Sequence, residues 1–122
     1  METNTFTQGA LTIEVDGTQE RINVNLLGKS TARDPAAFIL PILEQALQMS
    51  TDQRKPFHLD FCKTEYLNSS SITPVVRILE RARKGSNRVT VHYDKSLRWQ
   101  HLSFTALEVF QTVDDRIRIE GV

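Results

Sequence analysis

The sequence has one cysteine, no glycine-rich stretch, no excess of either charge and no long apolar run. A single Cys62 excludes an internal disulfide, and its place in the run FHLDFC suits a small buried side chain in a reducing compartment. The five glycines stand at positions 9, 17, 28, 85 and 121, too scattered for a phosphate-cradling loop. Gly28-Lys29-Ser30 has the ending of such a loop, but Asn23 occupies the place of its first glycine, and Gly28 reads more simply as a strand end. Fifteen basic residues balance 15 acidic ones, so nucleic acid, which rewards a basic excess, is not an expected partner. The local cluster Arg77, Arg81, Arg83, Lys84 and Arg88 reads as the solvated back of a helix. No apolar segment approaches the ~18 residues of a membrane span, and no basic stretch leads into an apolar one at the start. The expectation is a soluble cytoplasmic protein with no membrane partner.

What is present fits one folded domain. The 122 residues are 39% hydrophobic and 25% charged, enough for a single core and too few for a second. Residues 1–9 are polar with little periodicity and read as a loose lead-in to a domain over 1–122. LTIEVD and ERINVNLLG alternate through Leu11, Ile13, Val15 and Ile22, Val24, Leu26, with Gly17 and Thr18 between them, which predicts a β-hairpin. Asp34 before Pro35 predicts a capped helix start, and the helix runs to about Met49 with a late start or a kink near Pro41. KPFHLDFCK reads as a central strand. A helix from Asn68 or Ser69 to Gly85 carries Ile72, Val75, Val76, Leu79 and Ala82 as its buried stripe. NRVTVHYD is a strand, SLRWQHLSFTALEVFQ a helix with Leu102, Ala106, Val109 and Phe110 on its buried face, and RIRIEGV a last strand. The order β-β-α-β-α-β-α-β predicts an α/β fold, a mixed sheet covered by helices.

Catalytic and metal chemistry find little support. His58, His92 and His101 are isolated, so no metal or other cofactor is expected. His58 with Asp60 and His92 with Asp94 each share a strand face, and an enzymatic reading would use the second pair, with His92 facing a pocket. No nucleophile elbow is present, and Asp114-Asp115 suits a turn. The chain is not expected to be an enzyme.

The informative stretch is EYLNSSSI, three adjacent hydroxyls at the mouth of a helix. Capping accounts for one of them, because Asn and Ser accept from the first free N–H groups of a helix. A regulated chemical handle is the sharper reading. A phosphate there meets the positive end of its own helix, so the fold can accept it while a docked partner cannot.

HLDFCKTEYLNSSSI resembles the STAS domains, the anti-sigma factor antagonist family, in which an apolar strand with an internal Asp leads to Asp-Ser-Ser-Gly-Leu or a variant at a helix start. With Asn68-Ser69-Ser70-Ser71 and the tripeptide His92-Tyr93-Asp94, the chain is more similar to the single-domain subgroup of biofilm and cyclic-di-GMP control, whose motif is Asn-Thr-Ser-Ser. Asn68 in place of an acidic residue and Ser71 in place of glycine point the same way. The resemblance spans roughly residues 11 to 110. It implies a STAS-like fold and a non-enzymatic partner-switching regulator. The resemblance further implies that a cognate serine/threonine kinase phosphorylates it, that a PP2C-type phosphatase reverses this, and that only the unmodified form binds a target, a diguanylate cyclase or an anti-sigma factor. Carried over, Ser69 is the phosphate acceptor and Ser70 the alternative. Leu67, Asn68, Ser69, Ser70 and Ser71 form the partner-binding surface, with Leu67 as an exposed apolar anchor. The competing expectation is a small-molecule-sensing STAS-like domain that is not phosphorylated, with its ligand between helix starts and sheet.

Overall fold

The computed structural model describes residues 2–122. Within them, seven strands form one sheet: β1 (Glu2–Gln8), β2 (Leu11–Gly17), β3 (Ile22–Ser30), β4 (Phe57–Asp60), β5 (Thr64–Leu67), β6 (Val89–Tyr93) and β7 (Ile117–Gly121). The helices are α1 (Pro35–Gln53), α2 (Ser69–Lys84) and α3 (Arg98–Thr105), the last continued by a 3-10 turn over Ala106–Phe110. The strand order is β1-β2-β3-β4-β6-β7. Strands β1, β2 and β3 are antiparallel, and β3, β4, β6 and β7 are parallel, as their helical crossovers require. The long β3 pairs with β4 over Ile22–Asn25 and then with β5 over Gly28–Ser30, with an irregularity between Gly28 and Lys29.

Alternation explains the layers. Leu11, Ile13, Val15, Ile22, Val24, Leu26, Phe57, Leu59, Val91 and Ile119 point to one side and are buried there with the apolar stripes of α1 and α2. The residues between them, including Glu14, Asn23, Asn25, His58, Asp60, His92 and Glu120, are polar and partly exposed. The helices therefore cover one face of the sheet, in keeping with the expected mixed sheet covered by helices, and leave the other to water. A parallel sheet is normally buried on both sides; here a polar outer face makes the open side tolerable.

Some expectations change in instructive ways. The polar start is a strand, not a loose lead-in: β1 pairs with β2 from Glu2↔Gly17 to Gln8↔Leu11. An edge strand needs little apolar periodicity, and only Phe6 of β1 packs on the core. The threonines at 3, 5 and 7 are the signal that was there to read. Asp34 precedes α1 but makes no side-chain cap, so Pro35 at the first position carries the start. α1 continues through Pro41 to Gln53 without the expected late start. Pro41 is exposed, so the carbonyl that loses a helical donor there faces the solvent side.

Gly28 is more than a strand end. Its φ is +91°, and a Cβ built there would lie 2.0 Å from the Ala10 carbonyl oxygen, the atom that accepts from Lys29 N at 3.0 Å. Gly28→Ala is expected to lower stability by about 3 kcal/mol, from strain plus separation of the β1–β2 turn from β3, as read by urea denaturation. A loss below about 0.5 kcal/mol would show that the turn moves aside freely.

Candidate functional site

The start of α2 is built on the carboxyl end of β3. Ser30 pairs with Leu67 across β3 and β5, and Asn68 N donates to Ser30 O at 3.1 Å. Asn68 is then the N-cap: its extended backbone (φ −69°, ψ 166°) lets Oδ1 accept from Ser71 N at 3.1 Å. The same oxygen accepts from the Ser71 hydroxyl at 2.5 Å, so the Ser30 hydroxyl supplies the proton of the 2.6 Å Ser30–Ser71 contact. Asn68 Nδ2 donates to Ala32 O at 3.1 Å. The result is a continuous chain from Ser30 through Ser71 and Asn68 to the backbone after β3.

That chain separates the three serines. Ser71 is fully buried, whereas Ser69 and Ser70 are exposed in the first turn. The buried stripe of α2 is Ser71, Pro74, Val75, Ile78, Leu79 and Ala82, rotated from the expected one, with Ile72 and Val76 only partly buried. Ser71 lies four residues before Val75 and seven before Ile78, so its helical phase carries it inward. Pro74 lacks the N–H that would bond the Ser70 carbonyl, which leaves that acceptor beside the two exposed hydroxyls. No acidic residue lies in this turn, so the positive end of the helix has no carboxylate of its own there.

Two members of the expected partner surface are corrected. Leu67 is 6% exposed and belongs to the core cluster, while Glu65 and Tyr66 before it are exposed; Ser71 is fully buried within the hydrogen bonds above. Neither presents its side chain at the surface of the free chain. The exposed apolar group at this place is Tyr66, 46% accessible, whose ring lies 6.2 Å from that of the half-buried Trp99 on α3. Sequence reasoning missed both aromatics, although Tyr66 is two residues before the cap.

α3 braces the platform from the side. Gln100 is buried and fully paired: Nε2 donates to Phe61 O and Thr64 O, each at 2.8 Å, and Oε1 accepts from Asp94 N at 2.8 Å. Phe104 stacks on Tyr93 at 5.4 Å and meets Phe61 at 4.7 Å. The face of α3 that packs is thus Gln100, Phe104 and then Leu107; Leu102 and Val109, expected inside, are 62% and 69% exposed. A buried glutamine is invisible to hydrophobic periodicity, which is why the wrong face looked apolar enough.

The histidine pairs do not assemble as a catalytic couple. His92 Nε2 meets Glu120 at 3.2 Å, while Asp94 accepts from the Ser96 amide and hydroxyl, bonds that lower its pKa. Asp60 accepts from Cys62 N, and His58 instead meets His92 edge-on at 5.8 Å. Cys62 sits in a turn, where burial and the neighbouring Asp60 push its thiol up to about 11. Among the described residues no three His, Cys, Asp or Glu side chains gather as a metal site, and no helix is long and apolar enough to cross a membrane. Clefts of about 240 and 780 Å³ lie around Ser50–Pro56 with Asn87 and around Gly17–Arg21 with Met49.

The division of labour among the serines is testable. Ser71→Ala strands the Ser30 hydroxyl and removes a bond to Asn68, and is expected to cost about 1–3 kcal/mol in urea denaturation. Ser69→Ala is expected to stay within about 0.5 kcal/mol of the parent; equal losses at the two positions would contradict the assignment.

No protein-family model matches the chain, and no curated protein matches it. Solved structures do. A chain in the crystal structure of the diguanylate cyclase SiaD in complex with its activator SiaC, from Pseudomonas aeruginosa, aligns with a TM-score of 0.64 and 19% identity over 96% of this chain and 99% of that one. SiaC of Pseudomonas aeruginosa aligns with a TM-score of 0.67 and 18% identity over 100% and 98%. An anti-sigma factor antagonist from Mycobacterium paratuberculosis aligns with a TM-score of 0.56 and 21% identity over 87% and 90%. At such identities the likeness concerns the backbone, and it agrees with the element order and the mixed sheet: the chain has the STAS-like α/β fold of SiaC and of an anti-sigma factor antagonist.

Proposed function

We propose that the chain is a partner-switching regulator whose docking surface is the start of α2, with Ser69 as the phosphate acceptor and Ser70 as the alternative. The observation that carries this reading is the split among the serines: two hydroxyls reach solvent on a rigidly capped helix end, and the third is locked beneath them. A kinase has access to Ser69 and Ser70 without unfolding anything. A phosphate there adds about −1.5 to −2 charge next to free helical N–H groups, which offset it by about 0.3–1 kcal/mol. The fold then tolerates the modification.

A partner docked on the same turn does not tolerate it. Tyr66 and Trp99 supply an aromatic anchor beside the serines, and such residues carry much of the binding energy in protein interfaces. Placing a hydrated dianion at the rim of that patch opposes its desolvation. The likeness to SiaC, found in complex with a diguanylate cyclase, favours a diguanylate cyclase as the target, with an anti-sigma factor as the counterpart suggested by the second relative. A serine/threonine kinase and a PP2C-type phosphatase would set the phosphorylated fraction. The protein acts by binding rather than by catalysis, in the cytoplasm where its target and modifying enzymes meet.

Mass spectrometry of the chain purified from its own cells is expected to place phosphate on Ser69 or Ser70 and none on Ser71. Against the purified target, Ser69→Asp is expected to bind about tenfold or more weakly than Ser69→Ala, with thermal midpoints within about 2 °C of each other. Equal binding by the two variants, or phosphate on Ser71, would overturn the reading.

A further inference from the structure

The end of the sheet away from Ser69 holds a second feature. Strands β4, β6 and β7 run parallel, so their amino ends lie side by side, and register places His58, Thr90 and Arg118 in one row across the outer face. Arg88 and Arg116 stand one residue before β6 and β7. With Asp115 these residues line a cleft of about 310 Å³. The lining therefore carries three arginines and a histidine with one carboxylate, Asp115, while Glu120 and Asp114 stand beside Arg118 and Arg116.

Arg116 and Arg118 are held in place and only partly offset. Arg116 is fixed by three backbone carbonyls: Nη1 donates to Ala82 O at 2.8 Å and Asn87 O at 2.9 Å, and Nη2 to Arg83 O at 3.1 Å. Those bonds cap the carboxyl end of α2, whose dipole, with the nearby Asp114 carboxylate, offsets part of the charge. Arg118 Nη2 lies along the row, 3.4 Å from Thr90 Oγ1, and its Nη1 is 3.8 Å from Glu120, a loose ion pair. Arg88 enters no ion pair among the described residues. Thr90 is 6% exposed, and its hydroxyl, accepting from Arg118, keeps its own proton to donate. His58 registers the same field: burial first, then the charges of Arg21, His92 and Arg118, against the opposing Glu120, hold its pKa below the ordinary histidine value.

We propose that this cleft binds a small polyanion of the diphosphate class. Planar guanidinium groups recognise phosphate oxygens with paired hydrogen bonds, a buried hydroxyl adds a donor, and a cleft at the small end of ligand-pocket sizes suits a compact anion. The site is separate from the α2 start and owes nothing to the switch proposed there. An anion seated on the row stabilises the charged imidazolium, so it raises the His58 titration midpoint.

The test is an NMR titration of the full chain with pyrophosphate at ionic strength held constant with potassium chloride. Saturable shifts at the His58 imidazole and the Arg88 and Arg118 side-chain N–H groups are expected, together with an upward move of the His58 midpoint. Arg88→Gln and Arg118→Gln are each expected to weaken binding about tenfold, the loss of one charge-assisted contact, while Ser69→Asp binds as the parent does. The proposal is overturned if the shifts do not saturate, if potassium chloride alone reproduces them, or if both arginine variants keep the parent affinity. Because Arg88 is exposed, its substitution leaves the fold in place.

Discussion

The hydrogen-bond chain Ser30–Ser71–Asn68–Ala32 ties the end of β3 to the first turn of α2, and the local architecture follows from it. Each group in the chain is partly or wholly withdrawn from water, and each finds its partner. A buried polar network of this kind is rigid when complete and costly when broken. By fixing Ser71 inward it sets the rotation of α2, and the rotation in turn decides that Ser69 and Ser70 look outward. Thr64 and Gln100 extend the same logic sideways: the Thr64 hydroxyl donates to Leu26 O, and Gln100 gathers the ends of β4, β5 and β6 under α3. The carboxyl end of the sheet is consequently a stiff platform rather than a collection of loops.

Where period and composition coincide, the sequence was readable. Strands β2 and β3 alternate because one side of the sheet is core and the other water; β4 follows the same rule, and β6 departs from it at the buried Thr90. The element order was enough for the α/β class, since helical crossovers between strands make the later pairing parallel. What escaped did so for physical reasons. β1 is an edge with a single neighbour and so carries little core periodicity, and β5 is four residues long. The packed face of α3 is chosen by a glutamine with three hydrogen bonds, which a hydrophobic count ranks as surface.

At the site, the motif was visible but its internal division was not. Three serines in a row look equivalent until helical phase is applied from Val75 and Ile78 back to Ser71, which separates the buried one from the other two. Leu67 looks like an anchor because it is apolar and adjacent, yet it closes β5 against the core and the exposed aromatic lies one residue earlier. Tyr66 is that aromatic. The bare outer face of the sheet is marked in the sequence by the polar row of Asn23, Asn25, His58, Asp60, His92 and Glu120.

The central claim is mechanical: negative charge fixed to the outward hydroxyl leaves the lock beneath it untouched. Amide hydrogen exchange on a chain carrying phosphoserine at position 69 examines that most directly, because the Ser71 amide donates into the Asn68 cap. The account predicts protection at Ser71 and along α2 equal to that of the unmodified chain. Rapid exchange at Ser71, with fraying of the first turn, would contradict it.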